Sequence, residues 1–335
     1  MKAIKAIAWA LVWFVLCACM LWAAGALYFD FPVSILRGPA ALLLLLAFVE
    51  TAIFVSGKLL KLAICLGGFA LVTGWWLTLS PTNDSDWQPD MAQKAWADVQ
   101  GDEVTLHNVR NCDYRTEIDY TPHWETRTVR ISQITGIDLA VDYWGSPWIA
   151  HPIASFQFAD AAPLCFSIET RKKLGQTYST IGGLYRQFEL IYIVADERDV
   201  IRVRTNYRKE DIYLYRTTVS PAQARERFLE YIHSLNALRN KPRWYNAITT
   251  NCTTSIRTQH PPHERMPWDW RILLNGKGDE LLYERHLIVN GGLPFAELKG
   301  RSLIDARARA ANDSPDFSQL IRVGLPPLPQ PGVAQ

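Results

Sequence analysis

The chain has 335 residues, 49% of them hydrophobic, and a formal net charge of +2. Bulk electrostatics of that size call for neither a nucleic acid nor an anionic surface as partner. The even average conceals an uneven distribution: residues 6–79 carry almost no acids or amides, whereas 82–130 are rich in Asp, Glu, Arg and Asn.

Three apolar stretches open the chain. Residues 6–28 are uncharged and long enough to cross about 30 Å of hydrocarbon as a helix. The second, 33–55, is interrupted near its start by Arg37, Gly38 and Pro39 and carries Glu50; the third runs over 59–79. Lys2 and Lys5 precede the first stretch, and Lys58 and Lys61 lie between the second and third. Three spans place both basic clusters on one side, which the positive-inside rule makes cytoplasmic. Everything after Ser80 then faces the periplasm, and Trp75 and Trp76 fall where an interfacial aromatic belt belongs. A cleaved signal peptide over residues 1–26 is the alternative; the length of the run and the two segments behind it argue against that. Glu50 inside a span costs a few kcal/mol unless it is paired or close to the interface. Residues 1–80 therefore read as the multi-pass anchor of an inner-membrane protein.

Cys17, Cys19 and Cys65 lie in the spans and read as small buried hydrophobes. Cys112, Cys165 and Cys252 remain for the exported part, where an odd count leaves a free thiol or an intermolecular bond. A Cys112–Cys165 disulfide with Cys252 free is one arrangement that the sequence leaves open.

Residues 80–92 form a polar, proline-containing stretch, and 81–110 read as linker and domain entry. The domain proper spans 111–322, followed by a proline-rich tail over 323–335. From Thr126 onward come short runs of β-branched and aromatic residues: TRTVRISQ, IDLAVDYW, WIAHPIASFQF, LCFSIET, FELIYIVA, VIRVRT and DIYLYRTT. Glu197, Arg198 and Asp199 separate two of them as a tight hairpin would. Such closely spaced strands predict an antiparallel sheet. The period then changes. Ser220-Pro221 is a helix start, and Phe228, Tyr231, Ile232, Leu235 and Leu238 follow at the spacing of an apolar helical stripe. Asn251-Cys252-Thr253-Thr254 reads as an N-cap opening a short helix. The fold class is α+β.

Cys252 is the sharpest chemical feature. On the first turn of a helix, backbone N–H groups and the helix dipole favour thiolate over thiol. The same N–H groups can stabilise an oxyanion when a thiolate attacks a carbonyl. His151, in the strand WIAHPIASF, is the available base; Ile149, Ile153 and Ser155 share its face. Taken alone, a cysteine at a helix start and a histidine in a strand are more often structural. Glu169 and Arg171, in FSIETRKK, read most simply as a solvated or sheet-edge pair. His260 and His263 have loose metal-ligand spacing, but the two prolines between them disfavour a helix and there is no second ligand cluster. The reading therefore contains neither metal nor cofactor.

The stretches RNCDYRTEIDYTPHWETRTV, WIAHPIASFQF, FSIETRKK, GGLYRQFELIYIVADERDVIRVRTNYR, NCTTSIR and FSQLIR, spread over residues 111–321, resemble the Lnb N-terminal periplasmic domain family of Lnb-type lipoprotein N-acyltransferases. The resemblance implies a permuted papain-like thiol fold similar to NlpC/P60 proteins, in which a strand histidine precedes a cysteine that opens a helix. His151 and Cys252 stand in that order. In the family's enzymes the membrane helices follow the catalytic domain, whereas here they precede it. The implied chemistry is acyl transfer through a thioester on Cys252, with His151 as base and Glu169 orienting the imidazole. The substrate is a membrane lipid or a lipoprotein N-terminus, with the bilayer as the setting. Two other classes use the same sequence: a periplasmic thiol amidase or peptidase acting on cell-wall peptides, and a membrane-bound binding module without catalysis.

Overall fold

The computed structural model describes residues 2–328. It contains two compact units, one of Met1–Asp84, Thr177–Glu189 and Trp244–Ala247, the other of Ser85–Gln176, Leu190–Arg243 and Ile248–Gln335.

In the first unit, helix α1 (Lys2–Asp30), a 3₁₀ turn (Ser34–Leu36) leading into α2 (Arg37–Phe54), and α3 (Lys58–Thr78) are each long and apolar enough to cross a membrane. Pro39 lies in the first turn of α2, where its missing N–H has no intrahelical acceptor to lose. Large side chains such as Phe14, Leu59 and Leu71 point outward, as a lipid-facing surface requires. The seam between helices buries Leu16, Met20, Ala23 and Ala26 and sets Trp13 at a tilt to Phe48 and Trp22 edge-on to Phe69. Glu50 is exposed, one turn before α2 ends at Phe54.

Residues 177–189 and 244–247, read from sequence as part of the later domain, pack with these helices. Tyr245 N–H donates to Phe188 O at 2.9 Å and Ala247 N–H to Gly183 O at 2.8 Å. Asp30, at the end of α1, is their anchor point. Its carboxylate accepts from Trp76 Nε1 and Gln187 Nε2, both at 2.7 Å, and from the Arg186 amide at 3.1 Å. The Arg186 guanidinium lies 4.0 Å from the centroid of the Trp76 ring.

The second unit is built on an eight-stranded sheet. Its strands are β1 (Trp96–Gln100), β2 (Glu103–Arg110), β5 (Trp124–Arg130), β6 (Ile134–Tyr143), β7 (Ala150–Phe158), β8 (Leu164–Arg171), β9 (Glu189–Asp196) and β10 (Asp211–Arg216); β3 (Asp113–Tyr114) and β4 (Tyr120–Thr121) form a separate ribbon. The order is β1-β2-β9-β8-β7-β6-β10, with β5 also paired to β2. β1–β2, β2–β5, β6–β7, β7–β8 and β6–β10 pair antiparallel, as the strand spacing predicts, and β2 meets β9 in a parallel contact at Arg110 and Ala195. The α+β class holds. Residues 81–110, read as linker and domain entry, contribute β1 and β2 because Ala97, Val104, Leu106 and Val109 alternate into the core.

Against one layer of the sheet lies α5 (Pro221–Asn240), which starts at Ser220 as its sequence predicts and is closed there by a capping box with Gln223. Its Phe228 and Tyr231 pack edge-to-face on Phe156 and Phe166. Another cluster joins Ala140, Ile153, Ile191, Ile193 and Leu214 to Ile304 and Phe317 of the C-terminal helices.

Two expectations need correction, and one arrangement the sequence leaves open is decided. Glu197-Arg198-Asp199 opens α4 (Glu197–Arg202), continued by a π-helical turn over Val203–Arg208, in place of a hairpin and the strand VIRVRT. Asp196 caps it through Arg198 N, and the buried Glu197 and Asp199 pair with Arg322 and Arg110; those distant partners override a local pattern compatible with either period. Cys112 and Cys165 are both buried free thiols, so the disulfide does not form. Arg171 is not an exposed partner of Glu169: it is buried, donates to the carbonyls of Met91 and Ala92, and stacks on Trp87.

Candidate functional site

Asn251 has an extended backbone (φ −96°, ψ −178°) and opens α6 (Cys252–Gln259). Its side-chain oxygen accepts from Thr254 N at 2.8 Å, and the Thr254 hydroxyl accepts from Asn251 N at 2.9 Å. This reciprocal cap, with Ser255 N bonded to Asn251 O, uses the third and fourth amides of the helix. The amides of Cys252 and Thr253, together with the Thr253 hydroxyl, act on the sulfur and favour its thiolate. Burial outweighs them and pushes the Cys252 thiol up to about 11. The expectation of a ready thiolate at the helix start therefore fails: in this closed site, desolvation beats the dipole.

His151 sits near the start of β7, directly across the β6–β7 register from Asp142. On its other side β7 pairs with β8 through Ile153–Ser167, and continuing that register brings Glu169 opposite His151. The three side chains thus share one row of the sheet. His151 Nε2 is 2.6 Å from Ser167 Oγ, whose hydroxyl donates to Glu169 Oε1 at 2.8 Å. A serine has one proton to give. With that proton on Glu169, the imidazole donates from Nε2 and carries its lone pair on Nδ1, a tautomer assigned by the bonding pattern. Burial holds the ring down to about 4, opposed by Glu169 and reinforced by Arg204 and Arg208. Imidazole and thiol are both neutral near pH 7.

Arg204, in the π-helical turn, closes the row from outside. It donates from Nε to Asp142 Oδ2 at 2.8 Å and from Nη2 to Glu169 Oε1 at 2.9 Å, while Nη1 returns to Val200 O. Burial would raise the Glu169 carboxyl, but Arg204 and His151 hold it well below the usual carboxylate range. Burial pushes Asp142 the other way, up to about 7 despite Arg204, with Glu210 adding to the rise.

Asn275 connects the histidine strand to the cysteine helix. Its Oδ1 accepts from the amide of Ala150, next to His151, at 2.9 Å; its Nδ2 donates to Thr253 Oγ1 at 2.8 Å and lies 3.7 Å from Cys252 Sγ. Glu169 reaches His151 through Ser167, and Asn275 links the backbone at Ala150, beside His151, to the start of the cysteine helix. Sequence reasoning missed Ser167, Arg204, Asp142 and Asn275. Ser167 had a signal, since it precedes Glu169 by two residues on one strand face. The other three had none.

His260 Nδ1 lies 2.8 Å from Glu230 Oε2 and 2.7 Å from Arg227 Nη1, while His263 is exposed. No group of three His, Cys, Asp or Glu able to hold a metal ion is found among the described residues.

The α+β domain thus carries a capped cysteine at a helix start, a strand histidine and a carboxylate bonded to that histidine through a serine hydroxyl. Residues 120–276 match the family model of the Lnb N-terminal periplasmic domain, which supports the family read from the sequence, and the match spans His151, Glu169, Cys252 and Asn275. Neither the curated proteins nor the solved structures give a match. With the three apolar helices, the match makes this a membrane-anchored protein carrying a periplasmic domain.

Proposed function

We propose that the protein is a cysteine-dependent acyltransferase of the inner membrane, passing an acyl chain through a thioester on Cys252 to an amine such as a lipoprotein N-terminus. The observation that carries this reading is a capped Cys252 beside Asn275, which also binds the backbone next to His151, a histidine whose tautomer is fixed by Ser167 and Glu169.

The reaction starts from the neutral pair. As Sγ attacks an ester carbonyl, His151 Nδ1 takes the thiol proton, so the resting site does not have to hold a free thiolate. The amides of Cys252 and Thr253 and Asn275 Nδ2 are the donors nearest the developing oxyanion. Collapse breaks the C–O ester bond, and the imidazolium returns its proton to the departing alkoxide. An incoming neutral amine then attacks the thioester, His151 takes its proton, and the C–S bond breaks. The thiolate recovers the proton, and the product is an amide. Glu169 acts on the imidazole only through the Ser167 hydroxyl, which makes both of them positioning residues.

A thiol amidase on cell-wall peptides would use a polar groove open to solvent. Cys252 and His151 are instead 9% and 8% exposed, which supports transfer to a second substrate over hydrolysis. The test supplies the full chain in phospholipid vesicles with a diacylated lipopeptide and follows the mass gain of one acyl chain. Cys252→Ala should abolish the gain while the protein stays folded and inserted; a gain that persists removes Cys252 from the mechanism. Release of cell-wall peptides without acyl transfer would establish the amidase. For the three-span orientation, alkaline phosphatase fused after residue 328 should be active and the same fusion near Lys58 inactive.

A further inference from the structure

Two segments lead into the site, and both turn their largest side chains outward. The first is the turn of residues 144–149, between β6 and β7, which ends two residues before His151. The second is the stretch 266–274, which ends next to Asn275. Of the 13 tryptophans in the chain, four are exposed, and all four lie here: Trp144 and Trp148 on the first segment, Trp268 and Trp270 on the second. Ile149, Leu273 and Leu274 extend the same exposed apolar surface.

The two segments are held against each other. Gly276 N–H donates to Trp148 O at 2.9 Å, and the Trp148 and Trp270 ring centroids are 6.5 Å apart. A side chain at 276 would place its Cβ 2.4 Å from the Trp148 carbonyl carbon, so only glycine permits this approach. The aromatic surface is a built feature and not a scatter of loose residues. Cations border it: the Lys277 ammonium lies 5.7 Å from the Trp148 ring, and the Arg257 guanidinium 5.9 Å from the Trp268 ring.

Exposed apolar patches with a polar rim mark interaction surfaces, and the composition here selects the partner. Indole rings are apolar bodies with one N–H, favoured at the level of lipid headgroups, and long cationic side chains beside them reach headgroup phosphates. A chain anchored by three spans also keeps a bilayer at a high effective concentration, which no diffusing protein partner matches. We propose that this aromatic face docks on the periplasmic membrane–water interface. Docking rests on the tryptophans and the anchor alone. Its use, presenting the Cys252 site at the depth of lipid ester groups, rests on the acyl transfer proposed above.

The experiment reconstitutes the full chain, carrying Cys252→Ala throughout, in phosphatidylcholine vesicles with and without bromine on the acyl chains. Tryptophan emission is compared between this protein and one that also carries Trp148→Phe and Trp270→Phe. Both rings are exposed and phenylalanine remains apolar, so folding and docking persist; the difference between the two spectra is the emission of Trp148 and Trp270. Docking predicts that brominated lipid quenches this difference roughly two-fold or more and that aqueous iodide leaves it nearly unchanged. Quenching by iodide but not by brominated lipid would overturn the proposal by placing the face in water. Shielding from both quenchers would overturn it equally, with a protein or a second copy covering the face. Because the thiol is already absent, neither outcome bears on the reaction.

Discussion

The membrane helices and the sheet domain solve opposite solvation problems. In α1–α3 the outer surface is largely apolar, and at one end of the helices Asp30 gathers Trp76, Arg186 and Gln187. In the sheet domain charged groups go inside in matched sets: Arg110 with Asp199, Arg322 with Asp138 and Glu197, Arg204 with Asp142 and Glu169. Buried ion pairs add little net stability, because desolvation consumes most of the Coulomb gain. Breaking one is expensive, and that asymmetry fixes geometry. The Arg204 set lies on the same sheet row as the proposed base, so the domain spends this device where side-chain position matters.

The comparison breaks most visibly at Arg204. Arg204→Met leaves two carboxylates buried without their partner, and the loss should be about 3–5 kcal/mol. Thermal unfolding of the full chain in detergent should show it as a large fall in midpoint. An unchanged midpoint would mean that water, and not Arg204, solvates Asp142 and Glu169.

A second test uses pH. His151 is held down to about 4, below its unfolded value of 6.5. The unfolded chain therefore binds the proton first, and stability present above pH 6.5 is lost as pH falls toward 4. The expected contribution is about 3 kcal/mol. His151→Asn should remove this slope between pH 6.5 and 4 when unfolding midpoints are compared with those of the parent. The buried carboxylates titrate in both proteins and cancel in the difference. An identical slope in the two proteins would place the imidazole in contact with solvent.

In the anchor the corresponding cut is Asp30→Ala, which takes the acceptor from three donors at once. A cost of about 1–3 kcal/mol is expected, felt locally. Hydrogen exchange at residues 183–189 and 244–247 should accelerate in vesicles while exchange in α1–α3 stays slow. Unaltered exchange in the two segments would show that aromatic packing, including Phe29 on Tyr185 at 4.9 Å, holds them without the carboxylate.

How much of this was legible follows from range. The spans, β6 to β10, the Ser220 and Asn251 caps and the order of His151 before Cys252 rest on local pattern, and the sequence carries them. The helical turn at 197–208 does not, because Val200, Ile201 and Val203 fit a strand as well as a helix. Its state is decided by Arg110 and Arg322, 89 and 125 positions from Asp199 and Glu197 respectively. Asn275 was invisible for the same reason: its two bonds reach back to Ala150 and Thr253. The thiol was misjudged because a helix start is a local feature whereas burial is a property of the whole fold.

Ser167 gives the smallest expected effect and the most diagnostic one. Its hydroxyl accepts from His151 Nε2–H and donates to Glu169, so it transmits orientation without touching substrate. Ser167→Ala strands the Nε2–H inside the domain and loosens the tautomer preference, a cost of about 1–2 kcal/mol. That corresponds to a fall in kcat of roughly ten-fold, with KM unchanged because no substrate contact is lost. Ser167→Thr retains the hydroxyl and should recover most of the rate. A purely structural serine would predict the reverse ranking, since alanine fits the buried position more easily than threonine. If alanine is active and threonine is not, Glu169 serves to neutralise Arg204, and the histidine is held by the sheet alone.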